Sequence, residues 1–423
     1  MRYQSMRESL EHVKAEYHER CTNCGLCVEV CPVYQIGDWG GLAPEKLHEG
    51  RLAAVHHGVV SDDVYNFTFA CSNCVVCKDS CPDGLDPFEF TRLTRMAIVD
   101  SGRAAPANLA MRLPSRPDSP TQVSAALQVK PGAVRWLAEV PENPPQADTV
   151  LFLGCNIHAM PDKIHTLMDI LATLGLNVPV VGGIRICCGE LDVHCGDVAS
   201  AERSLRQLVQ TLARFRPREV VYWCGGCYDK VMNHAPAVMD VPFRSRHVAA
   251  FLLDHLGEVT FPRQVEQTVT VHDPCTLARM VGEHEPVRRL LAAIPGVALV
   301  EMSKNRAEAR CCGSPTNSVA PELAPALTER ALAEARATGA TALATICHGC
   351  QRRFARSEPG QPFRVESFIT LLGEALGIVH EDRLKRYVQY RDPERVIAEA
   401  ADYIAAADYP PGELERLVRL HFR

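Results

Sequence analysis

The sequence predicts an α+β protein of several domains, in which a mostly helical, cysteine-rich module precedes two pseudo-symmetric α/β domains. Two observations predict this architecture. All but one of the 19 cysteines in the 423 residues fall into four groups. From about residue 149, strands alternate with helices, and this alternation occurs twice with the same order of cysteines. The expected divisions are a first domain, a proline-rich linker, two related domains and a helical tail, at residues 1–100, 101–148, 149–258, 259–378 and 379–423.

The composition is that of an ordinary globular protein, with 47% apolar and 23% charged residues. A net charge of −6 without any block of Lys and Arg argues against a nucleic-acid partner. The chain has no apolar run of about 18 residues, so we expect no membrane span of its own, and residues 1–5 do not resemble a signal peptide. We therefore expect a cytoplasmic protein, in which clustered cysteines bind metals more often than they form disulfides.

Two cysteine runs define the first domain, at residues 21–32 and 71–82. Both follow the pattern C-x₂-C-x₂-C-x₃-C-P of two-cluster ferredoxins, in which the fourth cysteine ligates the neighbouring cluster. Zinc is the less favoured alternative, because zinc sites use paired cysteines without a third at this spacing. We expect two cubane [4Fe–4S] clusters, one on Cys21, Cys24, Cys27 and Cys81 and the other on Cys71, Cys74, Cys77 and Cys31.

Helical patterns surround these runs, so the module is predicted to be mostly helical. They cover residues 4–20, 44–55, 62–69 and 84–100. The following linker is rich in proline, which makes long regular structure unfavourable. A short helix is expected around residues 132–139, with Trp136 packing it against a domain.

The second half of the chain carries one arrangement of five cysteines twice. A single cysteine is followed by a Cys-Cys-Gly doublet and then by a C-x₂-C pair, with intervals of 31 and 34 residues in the first copy and 35 and 33 in the second. The two sets are Cys155, Cys187, Cys188, Cys224 and Cys227, and Cys275, Cys311, Cys312, Cys347 and Cys350.

Strands and helices surround both cysteine sets in the same order. Strands are predicted at 149–153, 178–181 and 219–223, and again at 268–272, 298–302 and 342–346. Helices are predicted at 163–174, 199–215 and 247–257, and again at 286–293, 322–338 and 366–377. The cysteines follow strand ends, where parallel sheets place their ligands, so we expect two sites related by a pseudo-two-fold axis and facing a common cleft.

Five thiolates are one more than a cubane cluster requires, and an adjacent pair fits an opened cluster better than a compact one. Gly189 and Gly313 lack a Cβ and would let the backbone approach the metal, as would the glycines inside the closing pairs. A distorted cluster with an accessible iron can bind an external sulfur. Disulfide cleavage takes two electrons, so two such sites on one cleft could each take one sulfur.

With these motifs, the chain resembles heterodisulfide reductase catalytic subunits of the fused type. In that family a two-cluster ferredoxin module precedes two α/β CCG domains. The resemblance covers about residues 15–375, although the intervals of 34 and 33 residues before the closing pairs are slightly short for the family. It implies a noncubane [4Fe–4S] cluster on each set of five cysteines. Relatives such as the iron–sulfur subunit of glycolate oxidase often have one incomplete motif, whereas both motifs are complete here.

Two histidines adjoin the cysteines of the second set and are candidate catalytic proton donors, namely His272 and His348. The alternative is that each only makes a hydrogen bond to the backbone or to a cluster sulfur. Arg185 and Arg310 precede the doublets and could offset cluster charge or bind an anionic substrate. Cys195 lies outside the four groups and is expected to be a small buried residue.

The predicted function is that of an iron–sulfur oxidoreductase subunit that reduces or forms a disulfide. The alternative is an electron-relay subunit that connects a flavoprotein dehydrogenase with a quinone or membrane cytochrome. No nucleotide- or flavin-binding motif is present, so electrons must come from partner subunits, expected to be a flavoprotein or a membrane cytochrome b. Such a partner could hold the protein on the inner face of the membrane. The tail from residue 379 is expected to be a solvated helical cap or a surface for such a partner.

Overall fold

The computed structural model describes residues 2–133, 140–257 and 259–423. The first module is mostly helical, as predicted. The hydroxyl of Ser5 accepts a hydrogen bond from the amide of Glu8 and begins the first helix, and the carboxylate of Asp86 begins the fifth. The helices are α1 Met6–Arg20, α2 Leu26–Glu29, α3 Pro44–His57, α4 Asp62–Ala70 and α5 Pro87–Asp100, with short 3₁₀ turns at Tyr34–Ile36 and Lys78–Ser80.

Aromatic packing holds the first and last of these helices together. Tyr17 of α1 stacks on Phe90 of α5 with ring centroids 4.1 Å apart, and both side chains are buried. A second apolar cluster around Val28, Leu47 and Phe67 joins α2, α3 and α4. The first cysteine run extends from the end of α1 through α2, and the second lies between α4 and α5.

The linker contains two short helices, α6 Ala107–Ala110 and α7 Pro120–Ala126. The α7 helix packs on the turn after Cys155, and Thr121 donates a hydrogen bond to the side chain of Asn156 over 2.7 Å. Most of the short helix expected at residues 132–139, including Trp136, falls in residues 134–139 and so lies outside the described residues.

Two parallel four-stranded sheets follow, with orders β2-β1-β3-β4 and β6-β5-β7-β8. The identical order confirms the duplication that the cysteine pattern predicts. The first unit contains β1 Thr149–Phe152, α8 Pro161–Thr173, β2 Val180–Val181, α9 Glu190–His194, α10 Val198–Ala213, β3 Glu219–Tyr222, α11 Gly225–Asp229, β4 Arg244–His247 and α12 Val248–His255. The second contains β5 Gln267–His272, α13 Glu285–Ala292, β6 Val297–Leu299, α14 Ala324–Ala337, β7 Ala342–Thr345, α15 His348–Ala355, β8 Arg364–Ser367 and α16 Phe368–Ala375.

The two edge strands β4 and β8 were not predicted from the sequence. Each has only four residues and begins with arginine, so neither shows a run of apolar residues. Each pairs with the strand that ends beside a closing cysteine pair: β4 with β3, and β8 with β7.

The tail is helical, as expected, but it is not simply a solvated cap. Its apolar face enters the core that both sheets share, through Leu384, Tyr387, Val418 and Phe422. The helices are α17 Arg383–Tyr390, α18 Pro393–Glu399, α19 Ala401–Ala406 and α20 Glu413–His421. In the described part of the chain, no helix is both long enough and apolar enough to cross a bilayer.

Candidate functional site: four groups of thiols

The first module gathers its cysteines into two quartets, and each quartet takes its fourth member from the other run. Burial raises the pKa of Cys27, Arg51 opposes this, and the thiols of Cys21, Cys24 and Cys81 are near enough to raise it further. We call these four cysteines the first quartet.

The second quartet is assembled in the same way. Burial raises the pKa of Cys31, and the nearby thiols of Cys74 and Cys71 add to the effect. Cys77 is surrounded by these three thiols and also lies near Cys27 of the first quartet. The two quartets are therefore neighbours.

The first quartet is the group nearest to solvent. Cys24 is exposed, whereas Cys74 of the second quartet is buried. Leu26, two residues after Cys24, is one of the few large apolar side chains that the described surface exposes. The first quartet is therefore the thiol group that another protein could approach most directly.

A buried histidine that the sequence analysis did not identify contacts the first quartet. The ring of His48 lies with Nε2 3.3 Å from the Sγ of Cys21 and Nδ1 3.9 Å from the Sγ of Cys27. Burial, with a smaller contribution from Arg51, lowers the pKa of His48 to about 3. The ring is therefore neutral at neutral pH, and an N–H can donate to sulfur.

The first set of five cysteines converges at the carboxyl ends of β1 and β3. Cys188 and Cys227 lie with their Sγ atoms 3.5 Å apart, and Cys187 interacts with Cys155. The amide of Gly189 donates to the Sγ of Cys187 over 3.4 Å. We call this set the first quintet.

The second set has the same construction at the carboxyl ends of β5 and β7, and we call it the second quintet. The Sγ atoms of Cys312 and Cys350 lie 3.2 Å apart, and the amide of Gly313 donates to the Sγ of Cys311 over 3.3 Å. Burial raises the pKa of Cys275, with further contributions from nearby thiols that include Cys312 and Cys347. The strand order thus brings together cysteines that are far apart in the sequence.

The second quintet lies between the second quartet and the first quintet. Cys275 and Cys311 both lie near Cys74 of the second quartet. On the other side, Cys224 of the first quintet lies near Cys347 and near the ring of His348. The groups therefore form a continuous series from the exposed first quartet through the second quartet and second quintet to the first quintet.

Tight packing between the two sheet units holds the quintets together. A Cβ at Gly225 would lie 2.8 Å from the Oγ1 of Thr276, so this glycine allows the segment after Cys224 to approach the one after Cys275. Asn233 also donates to the carbonyl oxygen of Met280 over 3.2 Å. A π-helical turn follows the closing cysteine pair of the first unit, at Lys230–His234, and another follows Cys275 of the second unit, at Thr276–Val281.

The glycines of the doublets also allow a close packing that the sequence analysis did not predict. Both have a left-handed conformation, with φ of 79° at Gly189 and 78° at Gly313. A Cβ at Gly189 would lie 2.5 Å from the carbonyl oxygen of Ala201, and one at Gly313 would lie 2.9 Å from that of Ala324. These glycines therefore let the two doublet turns pack against α10 in the first unit and α14 in the second.

The two candidate catalytic histidines lie where the sequence places them, beside the thiols. His272 is buried close to Cys312, and its Nε2 lies 3.0 Å from the carbonyl oxygen of Arg310. The other ring nitrogen, Nδ1, is buried without a hydrogen-bond partner among the described residues, and the same holds for Nδ1 of His348. Both rings thus retain one unused polar atom beside a group of thiols.

Buried charges fix the loop that leads into the second quintet. Asp273 accepts two hydrogen bonds from Arg288, over 2.7 and 2.8 Å, and a third from the amide of Arg306 over 2.6 Å. The interactions with Asp273 and Glu301 outweigh the effect of burial on Arg288 and raise its pKa. This ion pair has a structural role, because it anchors the start of the segment that carries Cys275.

The remaining candidates lie outside the thiol groups. Arg185 and Arg310 are exposed, and Arg310 lies 3.6 Å from the carboxylate of Glu334. Cys195 is buried in an apolar cluster with Phe69 and Ile98.

The thiol groups fit the iron–sulfur clusters expected from the sequence. Burial is a major cause of the raised pKa of Cys31 and Cys275, and the closeness of other thiols opposes ionisation further. Thiolates this close together need a compensating positive charge, and the irons of an iron–sulfur cluster supply it. The amide donors to Cys187 and Cys311 are also of the kind that stabilises bound cluster sulfur.

Comparison with known proteins agrees with this arrangement. The cysteine-rich domain family CCG matches residues 149–231 and 269–355, and a 4Fe-4S dicluster domain matches residues 17–85. The latter match assigns two cubane [4Fe–4S] clusters to the first module.

Several redox proteins are similar to much of the chain. A subunit of the dihydromethanophenazine:CoB–CoM heterodisulfide reductase of Methanosarcina mazei is 28% identical, over 85% of this chain and 94% of that protein. A subunit of the fumarate reductase (CoM/CoB) of Methanothermobacter marburgensis is 27% identical, over 82% of this chain and 71% of that protein. An EtfAB:quinone oxidoreductase of Syntrophomonas wolfei is 21% identical, over 70% of this chain and 48% of that protein. The chain therefore belongs to the iron–sulfur proteins that join a 4Fe-4S dicluster domain to two cysteine-rich CCG domains, and it is similar over most of its length to the heterodisulfide reductase protein of Methanosarcina mazei.

Proposed function

We propose that this chain is the disulfide-converting subunit of a larger redox complex, which reduces a disulfide or, in reverse, forms one from two thiols. The observation that carries the proposal is the contact between the two quintets, where Cys224 of the first lies beside Cys347 and His348 of the second. Both sets are complete, so two equivalent sulfur-lined sites share one boundary.

Each thiol group is proposed to hold one cluster. The two quartets would hold the cubane clusters, and the two quintets would hold noncubane [4Fe–4S] clusters. When bound, these clusters supply single electrons, and an accessible iron at a quintet supplies a binding position for an external sulfur. The members of the quintets are Cys155, Cys187, Cys188, Cys224 and Cys227, and Cys275, Cys311, Cys312, Cys347 and Cys350.

In this proposal, side chains of the protein transfer protons to and from the reacting sulfurs. Cleavage of a disulfide into two thiols consumes two electrons and two protons, so two proton donors near the sulfurs are useful. In His272, an N–H at Nε2 donates to the carbonyl oxygen of Arg310, which leaves Nδ1 to exchange a proton. His348 has the same unused Nδ1 and lies beside Cys224 of the other quintet.

The electron donor is proposed to be another protein of the complex that docks near Cys24 and Leu26. This end of the series combines an exposed cysteine with an exposed apolar side chain. A flavoprotein or a membrane cytochrome b is the expected class of partner, and such a partner would place the chain on the cytoplasmic side of a membrane.

An electron-relay function is the second candidate, and the similarity to the EtfAB:quinone oxidoreductase favours it. In that case the same series of thiol groups would connect a flavoprotein with a quinone or a membrane cytochrome. No thiol or disulfide would then interact with the quintets.

Electron paramagnetic resonance separates the two functions. Protein purified without oxygen is oxidised with ferricyanide in the presence and absence of 3-mercaptopropionate. The disulfide proposal predicts a paramagnetic signal that requires the thiol and is lost in Cys188→Ser and in Cys312→Ser. Cys195→Ser is the matched control and should retain the signal, because Cys195 belongs to neither quintet and packs with Phe69 and Ile98. Identical spectra with and without the thiol would refute disulfide chemistry and favour the relay.

A further inference from the structure

A cavity of about 400 Å³ lies against the second quintet, and the charged side chains that line it are all basic. Its floor includes Ser314 and Gly349, of which the second lies between Cys347 and Cys350. A Cβ at Gly349 would lie 3.6 Å from the Sγ of Cys347, so this part of the floor is next to the thiols. The basic lining residues are Arg112, Arg352, Arg353, Arg356, His421 and Arg423.

None of the four arginines nearest to the floor is paired with a carboxylate side chain in the described structure. Arg112 donates to the hydroxyl of Ser318 over 2.7 Å, and Arg353 donates to Thr328 over 2.6 Å and to Asn317 over 2.8 Å. These side-chain partners are neutral and do not offset the positive charges. Arg356 donates to an oxygen of the carboxyl group of Arg423, the last residue of the sequence, which offsets part of the positive charge, and the guanidinium of Arg423 also lines the cavity.

The side chain of Arg352 makes neither a hydrogen bond nor an ion pair with the described residues, although it is only partly exposed. The guanidinium of Arg352 lies near those of Arg112 and Arg356. Like charges that are partly removed from water repel one another, so an anion bound among these arginines would be stabilised.

The first sheet unit shows that the fold does not require cations here. The residues corresponding to Arg352, Arg353 and Arg356, counted from the closing cysteine pair, are Asp229, Lys230 and Asn233. Lys230 forms an ion pair with Glu190 over 2.7 Å, and Asp229 lies 3.3 Å from the ring of His234. The charges of the first unit are therefore balanced internally, whereas those of the second are not.

The cavity also depends on segments outside the matched domains. Arg112 comes from the turn that follows α6, and His421, Phe422 and Arg423 come from the end of the tail. The matched domains cover residues 17–85, 149–231 and 269–355. The linker and the tail thus close a basic wall around one side of the second quintet.

We propose that this cavity binds the anionic groups of the substrate, and that the substrate is a thiol or disulfide with at least two negative charges, as carboxylate, phosphate or sulfonate. The assignment rests on the proposed disulfide function, but anion binding itself does not. Arginine forks bind such groups through two hydrogen bonds at once. The anion would be held beside Ser314 and Gly349, which directs the sulfur of the same molecule towards Cys347 and Cys312.

Equilibrium binding to the full chain, purified without oxygen and with its clusters, tests the proposal. The probes are inorganic pyrophosphate, the dicarboxylate 3,3′-dithiodipropionate and the neutral 2-hydroxyethyl disulfide, each measured by calorimetry. We expect the two anions to bind in a one-to-one ratio and the neutral disulfide to bind at least tenfold more weakly. Arg352→Gln should weaken both anions by about tenfold or more, since a charged hydrogen-bonding group is removed. Arg352→Lys should recover part of this loss.

The matched control is Arg416→Gln, which removes an exposed arginine of α20 that pairs with Glu413 and should leave binding unchanged. Iron content is measured for each variant, so loss of clusters cannot imitate loss of the anion site. Equal affinity in the wild-type protein and Arg352→Gln, or no binding of either anion, would overturn the proposal. Binding of pyrophosphate without the dicarboxylate disulfide would overturn the substrate assignment. Failure of the disulfide function would instead appear as missing thiol-dependent resonance.

Discussion

Replacing Gly189 by alanine should damage the first quintet far more than an ordinary left-handed glycine substitution would. At φ of 79° a residue with a Cβ costs about 1–2 kcal/mol. The new Cβ would also lie 2.5 Å from the carbonyl oxygen and 2.7 Å from the Cα of Ala201. Such overpacking against backbone costs typically about 1–3 kcal/mol, so we expect a total loss of about 2–5 kcal/mol in the free energy of unfolding.

Gly175→Ala supplies the matched control for this prediction. Gly175 has φ of 68°, and no atom lies within 4 Å of the position that its Cβ would take. Only the conformational cost of about 1–2 kcal/mol should therefore appear. The two variants are compared by denaturant unfolding and by iron analysis after purification without oxygen.

Iron content distinguishes a local effect at the thiols from a general loss of stability. The amide of Gly189 donates to the Sγ of Cys187, so a shifted turn displaces the doublet. We expect Gly189→Ala to lose about one cluster in four, while Gly175→Ala keeps all of its iron. The reasoning is refuted if both variants lose the same stability and both retain full iron.

The other predictions concern hydrogen bonding, a buried ion pair and acid sensitivity. His48→Phe should lower the midpoint potential of the first quartet's cluster by about 40 mV. This is the one-electron equivalent of a hydrogen bond of about 1 kcal/mol. An unchanged potential in a redox titration would show that the His48 ring does not donate to sulfur. Arg288→Met should cost about 3–5 kcal/mol in denaturant unfolding, because it leaves the buried carboxylate of Asp273 without its cation, and adding Asp273→Asn should recover part of the loss. The free energy of unfolding should decrease as pH falls from about 6.5 to about 4. Burial lowers the pKa of His158 and His247 to about 4, so in this range the unfolded chain takes up protons that the folded chain does not. His247→Gln should make the free energy of unfolding depend less steeply on pH, and an unaltered dependence would contradict the assignment.

Local sequence signals predict most of the regular structure. Periodic patterns predict the helices, such as Met6–Arg20 and Pro87–Asp100, and runs ending at cysteines predict the central strands. The edge strands Arg244–His247 and Arg364–Ser367 lack these signals, since they are short and rich in polar residues. They form because β3 and β7 each leave an edge to pair with.

The site is predictable where it depends on cysteine spacing and not where it depends on packing between domains. The spacing identifies the four thiol groups, but His48 reaches Cys21 only because α3 packs beside the first cysteine run. Arg112 and Arg352 are far apart in the sequence and lie in a linker and a helix without a recognisable motif. The neighbouring position of Cys224 and His348 likewise follows from the contact between the two sheet units.

The role of the doublet glycines shows the same limit. A glycine after two cysteines predicts that the backbone can approach the metal, but the spacing does not show that Gly189 and Gly313 also allow contact with α10 and α14. Only the three-dimensional packing shows the second of these reasons for a missing side chain.

The central claim is that the chain holds four iron–sulfur clusters, one in each thiol group. Iron and acid-labile sulfide are counted per chain in protein purified without oxygen, with zinc measured in the same sample. Four [4Fe–4S] clusters correspond to about sixteen irons and about sixteen sulfides, with zinc absent. About eight of each, or zinc in place of iron at the quintets, would contradict it.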